Sequence, residues 1–192
     1  MTNAAPDLSS LYAGLQDAFA EAGADQDSLS QLIVEAPFAF EREAGLLFLG
    51  FISYFLVDEA GQALQLIGVT DNDYYRQSVQ GYPFAVKEYI VPLTATDNSL
   101  IQALHEGKPV VSTNWESLRR EDAPEGVARL NQASGGIGYS VAYPLTGKTQ
   151  GALLFNYFGL PENIGEPQDD FMARYAKLVE RALARLAEPV AS

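Results

Sequence analysis

Hydrophobic and polar positions along the chain fall into blocks of two different periods. Between 138 and 158, two apolar runs flank the polar segment Thr146-Gly-Lys-Thr-Gln150, a β-hairpin pattern. In the first run Tyr139, Val141, Tyr143 and Leu145 alternate onto one face. The second, 152–158, is apolar on both faces except at Asn156, which predicts a central strand covered above and below. Residues 51–57 and 63–69 predict a second antiparallel pair, joined by the turn chemistry of Asp58-Glu-Ala-Gly61. Shorter strands are expected at 88–93 and 110–113.

Helical spacing dominates the two ends. Over 7–22, Leu8, Leu11, Leu15 and Phe19 recur at three- and four-residue steps, with Asp7 as cap and Gly23 as terminator. A second helix is expected from a cap at Asp27 to Pro37, and 38–50 fit either a last helical turn or an early strand. A short helix capped by Thr96 or Asp97 carries Leu100, Ile101 and Leu104 inward and stops at Gly107. Another is predicted over 125–132. The last runs over 168–187 behind Pro167, with Phe171, Tyr175, Leu178, Val179, Ala182 and Leu186 as its apolar stripe. Arg174, Lys177, Arg181 and Arg185 form a basic stripe on the same helix, either solvated or paired with a partner helix. Two irregular insertions, 70–86 and 114–137, interrupt the pattern, and loops of that length are usually either functional or hold a short helix of their own.

Composition removes several function classes. The net charge of −13 argues against nucleic acid and against an anionic membrane surface, and fits a soluble cytoplasmic protein. With no cysteine, disulfides, zinc thiolates and thiol nucleophiles are excluded, and the single histidine, His105, excludes a multi-histidine metal site. The first residues lack the basic region of a signal peptide, and the apolar run 45–57 is too short to span a bilayer.

The order helix, helix, hairpin, insertion, strand, short helix, strand, loop, hairpin, long helix resembles the GAF domain family. The resemblance rests on the hairpin Phe55-Leu-Val-Asp-Glu-Ala-Gly-Gln-Ala-Leu-Gln-Leu66, on Gly107-Lys-Pro-Val-Val-Ser112, and on Tyr143-Pro-Leu145 followed by Gly151-Ala-Leu-Leu154 and the closing helix. PAS and other profilin-like sensor folds are the near alternatives. The resemblance implies an α+β fold: a central antiparallel sheet of about six strands, terminal helices on one face, short helices and loops on the other. It divides the chain into a leading helix (1–27) for dimerisation or linkage, a domain (28–187) and a tail (188–192). It also implies a sensory or regulatory module that binds a small organic ligand without a covalent bond or a cofactor. Output would pass through the terminal helices as a homodimer, or to a partner signalling protein. The alternative is a ligand-free dimerisation or scaffolding domain. Bilin attachment and free-methionine-sulfoxide reduction rely on cysteine in this family, and the chain has none. Haem ligation by His105 is not expected, since a histidine ending a short helix suits the helix dipole.

No catalytic constellation stands out. The acidic pairs Asp58-Glu59, Asp71/Asp73, Glu121-Asp122 and Asp169-Asp170 sit in turns or at helix starts, where carboxylates are ordinary. Gly135-Gly-Ile-Gly138 precedes a strand, so it is no dinucleotide fingerprint, and Gly147-Lys-Thr149 occupies a hairpin turn. An enzyme is therefore not expected. The aromatic side chains of the insertions are better candidates for ligand contact. Tyr74, Tyr75, Tyr82, Phe84 and Trp115 are expected to roof a pocket, with Tyr139 and Tyr143 rising from the sheet. Asn114, Arg119, Arg120 and Asn156 would supply its polar contacts.

Overall fold

The computed structural model describes residues 6–22, 25–80, 89–119, 124–160, 162 and 165–187. Its centre is the strand that is apolar on both faces, β6 (Gly151–Phe158), which pairs antiparallel with β1 (Leu49–Val57) on one side and β5 (Ile137–Leu145) on the other. Beyond β1 lie β2 (Ala63–Val69) and β3 (Ile90–Pro92), and beyond β5 lies β4 (Val110–Ser112). The six-stranded sheet has the order β3-β2-β1-β6-β5-β4 with every neighbour antiparallel. The α+β architecture expected from the sequence is therefore the observed one.

Period-two alternation divides the buried residues into two cores. Ile52 and Tyr54 of β1, Tyr139 and Val141 of β5, and Leu153, Phe155 and Tyr157 of β6 face the terminal helices. Those are α1 (Ser9–Glu21), α2 (Gln26–Glu35) and α7 (Glu166–Leu186). Their stripes (Leu11, Leu15 and Phe19; Leu29 and Ile33; Phe171, Tyr175 and Val179) close that core. The Tyr175 hydroxyl donates to the Ile33 carbonyl at 2.6 Å and so ties α7 to α2. Burial raises the Tyr175 pKa well above its ordinary value, so it stays a donor. Between the outer surfaces of α1 and α7, Tyr12 donates to Asp170 at 3.0 Å, and Arg174 pairs with Asp170 at 2.8 Å while lying over the Tyr12 ring. Arg185 donates to the Phe19 carbonyl. Two members of the basic stripe thus serve contacts within the chain.

The other face carries Phe55, Ala142, Ala152 and Leu154 from the sheet, against α5 (Ser99–Glu106). Short helices α3 (Glu41–Leu46), α4 (Asp73–Ser78) and α6 (Val127–Ser134) are the other α-helices among the described residues. The ambiguous segment 38–50 resolves as a 3-10 turn (Ala36–Ala39), then α3, then an early start to β1. Phe48 makes that change of direction at φ 58, and its carbonyl accepts from Phe158 N at 2.9 Å.

Two expected caps move. Asp25, not Asp27, accepts the Ser28 amide (2.8 Å), and Asn98, not Thr96 or Asp97, accepts that of Leu100 (2.9 Å). The first helix starts at Ser9, with the Asp7 side chain accepting the Ser9 amide at 3.0 Å. Gly23, expected to end that helix, lies outside the described residues. Gly107 ends α5 at φ 63 as the sequence predicts, with no atom near where a Cβ would stand. Gly107→Ala should therefore cost about 1 kcal/mol from backbone strain alone. That would lower the melting temperature by about 2–4 °C. Gly45 is equally uncrowded but sits inside α3 at an ordinary φ, so Gly45→Ala should raise it. Thermal denaturation of the pair checks both signs.

Candidate functional site

On the face away from the terminal helices, the sheet does not meet its cover everywhere. Strand β1 presents Phe51, Ser53 and Phe55 to this side, and β6 presents Leu154 and Asn156. Above them stand Tyr75 and Ser78 of α4, Trp115 and Arg119 of the segment after β4, and Asn131 of α6. The hollow between has a volume of about 110 Å³.

Local chemistry fixes each wall. Asn72 caps α4 by accepting the Tyr75 amide at 3.0 Å and donates to the Gly50 carbonyl at 2.7 Å, so the insertion is anchored to β1. Asn114 accepts the Glu116 amide at 3.0 Å and starts the 3-10 turn Trp115–Leu118. Gln132 of α6 accepts from Trp115 N at 3.0 Å and donates to the Thr113 carbonyl at 3.1 Å. The Trp115 indole then donates to Ser140 Oγ (2.7 Å), and Ser140 donates to Asn156 Oδ1 (2.6 Å). Asn156 Nδ2 donates to the Phe51 carbonyl at 3.2 Å and to that of Leu154 at 3.3 Å. Phe51 meets both roofing rings edge to face: Tyr75 at 5.7 Å and 63°, Trp115 at 6.1 Å and 87°. Phe55 meets Tyr89 in the same way at 5.7 Å.

Two polar groups set the electrostatics. Arg119 Nε pairs with Glu116 Oε2 at 3.1 Å, and Glu116 Oε1 accepts the Gly126 amide at 2.8 Å, so the cation here arrives with its counter-charge. Asn131 is 4% exposed, yet its Nδ2 has no hydrogen-bond partner among the described residues. Burial, then the Asp71 charge, raises the Tyr75 pKa, which keeps that phenol neutral.

The structure brings together four of the residues singled out from sequence: Tyr75, Trp115, Arg119 and Asn156. Asn114 acts as a cap, and Tyr74 lies outside, 46% exposed, packed on Phe158 at 4.3 Å between ring centres. Tyr139 and Tyr143 point to the opposite core, Tyr139 stacked on Tyr157 at 5.0 Å and Tyr143 edge-on to Phe155 at 6.4 Å. Tyr82, Phe84 and Arg120 lie outside the described residues. Sequence reasoning missed Phe51, Ser53 and Phe55, although strand alternation places them together. It also missed Asn131, for which α6 gave a misleading pattern: Leu130 is 69% exposed while Asn131 and Gln132 are buried.

A wider trough of about 450 Å³ runs between α2 and β2 past Asp27, Glu35 and Asp71. Glu35 accepts the Asp71 amide at 2.9 Å and Asp71 holds Arg76 at 2.8 Å, so these two carboxylates already have partners. Among the described residues no group of three or more His, Cys, Asp or Glu could hold a metal ion, and no helix is long and apolar enough to cross a membrane.

No family model and no curated protein matches the sequence. Solved structures do match the fold. A methyl-accepting chemotaxis protein fragment (residues 122 to 287) superposes with a TM-score of 0.62 at 12% identity, over 90% of this chain and 96% of that one. The GAF domain of a phosphoenolpyruvate-protein phosphotransferase from Coxiella burnetii gives 0.62 at 12% identity, over 95% and 97%. The free methionine-R-sulfoxide reductase from Neisseria meningitidis gives 0.57 at 16%, over 96% and 95%. Sheet order, the helices on its two faces and these superpositions agree: the chain has a GAF-like fold.

Proposed function

We propose that the chain is a cytoplasmic sensory or regulatory module, not an enzyme, that takes up a small organic molecule non-covalently between the sheet and the Tyr75–Trp115 roof. The observation that carries this reading is a hollow walled by the rings of Phe51, Phe55, Tyr75 and Trp115 with a few polar side chains among them. Apolar concavities with a few convergent polar groups are where proteins hold small ligands. The signalling context of several structural neighbours supports the same reading. Two of the neighbours are methionine sulfoxide reductases, and this chain has no cysteine to supply a reducing thiol.

The sheet offers a path for output. Asn156 faces the hollow, while its neighbours Phe155 and Tyr157 face the terminal helices, where Phe155 lies 5.9 Å from the Phe171 ring. A ligand that shifts β6 therefore acts on both cores at once, and α7 is the element that feels it. The outer faces of α1 and α7 are the surfaces left for a second copy or a partner signalling protein. Such a homodimer would be polar and salt-sensitive, because the apolar stripes are already used inside.

Trp115 is the single tryptophan of the chain and stands in the wall, so its emission reports on this site alone. Titration against a metabolite library should find compounds that shift Trp115 emission saturably and raise the melting temperature together. At 100 Kd of ligand the stabilisation should reach about 2.7 kcal/mol. A broad library in which no compound moves both signals would defeat the reading.

A further inference from the structure

The polar groups around the hollow are not equally open to a guest. Asn156 already uses Oδ1 on Ser140 and Nδ2 on the Phe51 carbonyl, and Ser78 Oγ donates to the Tyr75 carbonyl at 2.7 Å. Arg119 pairs with Glu116. Asn131 Nδ2 lacks a partner but is sealed by its neighbours, so it is closed to the hollow. The Tyr75 hydroxyl belongs to a half-buried side chain within reach of solvent. Ser53 differs from all of these. It is 7% exposed, lines the hollow from β1, and its hydroxyl makes no hydrogen bond with any described residue. Nor is that hydroxyl among the sealed, unpartnered atoms, which are Tyr54 Oη, Asn131 Nδ2 and Tyr157 Oη. The little surface it keeps opens onto the hollow.

The surroundings of Ser53 define what it can receive. It stands opposite Val69 of β2 and Leu154 of β6, with Phe51 and Phe55 two residues away on the same face of β1. One hydroxyl is therefore ringed by four apolar side chains that also line the hollow. A charge placed against it would exchange water for a single hydroxyl, too little to offset desolvation. A purely apolar guest would leave unanswered the one polar group of the floor that is still free. A volume of about 110 Å³ is of the order of the ~150 Å³ apolar cavity that accommodates benzene. The flanking rings favour a flat body. We infer that the site takes a neutral, single-ring aromatic compound bearing one hydroxyl, and that Ser53 Oγ is the group that selects it. A hydroxyl both donates and accepts, so it can answer serine whichever way the serine hydrogen points. The inference rests on the reading of the hollow as a ligand site and adds the polar contact and the chemical class.

A cycle of ligand against residue tests this on the full chain, with phenol and toluene as guests of matched size. Calorimetry gives the affinities and Trp115 emission reports that the guest sits in the hollow. Phenol should bind saturably, and benzoate and benzylammonium about 10-fold more weakly or worse. Ser53→Ala removes only the hydroxyl. It should weaken phenol about 5-fold while leaving toluene within about 2-fold, and the empty variant should melt no lower than the parent. Ser53→Cys keeps the size with a weaker donor, should weaken phenol in the same selective way, and serves if the alanine variant does not fold. Equal losses for phenol and toluene, or an unchanged phenol affinity, would overturn the part given to Ser53. So would a clear fall in the melting temperature of the empty alanine variant, which would mean that the hydroxyl already has a structural partner. A charged guest bound as tightly as phenol would overturn the ligand class. All of these leave the hollow a binding site. No saturable response to any of the four guests would also overturn the class, and the binding-site reading falls with it only if the metabolite library is silent too.

Discussion

Phe171→Asp is expected to abolish the cooperative unfolding transition, leaving a chain without a folded baseline at 25 °C. Phe171 is fully buried in α7, 5.9 Å from the Phe155 ring at 76° and stacked on Tyr175 at 5.4 Å. Truncating a buried phenylalanine costs about 3–5 kcal/mol from lost transfer energy and the cavity left behind. Aspartate adds the cost of placing a carboxyl among rings, and either state of that group is penalised: the ion by desolvation, the acid by its missing partners. The sum matches or exceeds the roughly 5–15 kcal/mol that hold a domain together. The conservative Phe171→Leu keeps most of the volume and should melt cooperatively a few degrees lower, which separates polarity from shape. Circular dichroism through a thermal ramp decides it. A Phe171→Asp melt within a few degrees of the parent would mean that α7 does not dock on β6 as described.

Patterns set by near neighbours in the chain were legible; those set by what lies across the sheet were not. The two-faced run 152–158 announced a central strand because nothing but cover on both sides explains it. The alternation of Tyr139, Val141 and Tyr143 correctly grouped those residues. A period of two says which residues share a face, not which face holds a ligand, and these turned out to belong to the terminal-helix core. Caps failed in a similar way. Thr96, Asp97 and Asn98 can all cap a helix, and the choice falls to Asn98, whose side chain also donates to the Arg119 carbonyl at 3.3 Å. Asn131 broke the rule on which the sequence argument leaned, that apolar residues turn inward, and local rules tend to fail where function intervenes. Tyr75 and Trp115 were legible for a simpler reason: large rings in long insertions need something to pack against.

Asn156→Ala should be the costliest change among the polar residues of the site, because one amide holds three other groups. Strand β1 slips register between Leu49 and Phe51 where it passes β6, and Asn156 lies opposite Phe51. Its Nδ2 donates to the Phe51 carbonyl there, while its Oδ1 ends the chain that runs from the Trp115 indole through Ser140. Asn156 and Ser140 are fully buried, with no accessible surface of their own. Each orphaned buried group costs about 1–3 kcal/mol, and at least two are orphaned, giving about 2–6 kcal/mol. At about 2–4 °C per kcal/mol this is a fall in melting temperature of roughly 4–24 °C. Ser140→Ala should cost less, since it strands chiefly the Trp115 N–H. Both should shift Trp115 emission to the red as the indole loses its anchor and swings towards water, so the roof of the hollow would loosen before the fold fails. Asn156→Asp keeps the acceptor for Ser140 but forfeits the donor to Phe51 and buries a carboxyl. It should preserve the Trp115 spectrum better than the alanine variant does, even though it is destabilised. If Asn156→Ala melted within 2 °C of the parent with an unchanged spectrum, the network would be incidental, and Trp115 would be held by packing alone.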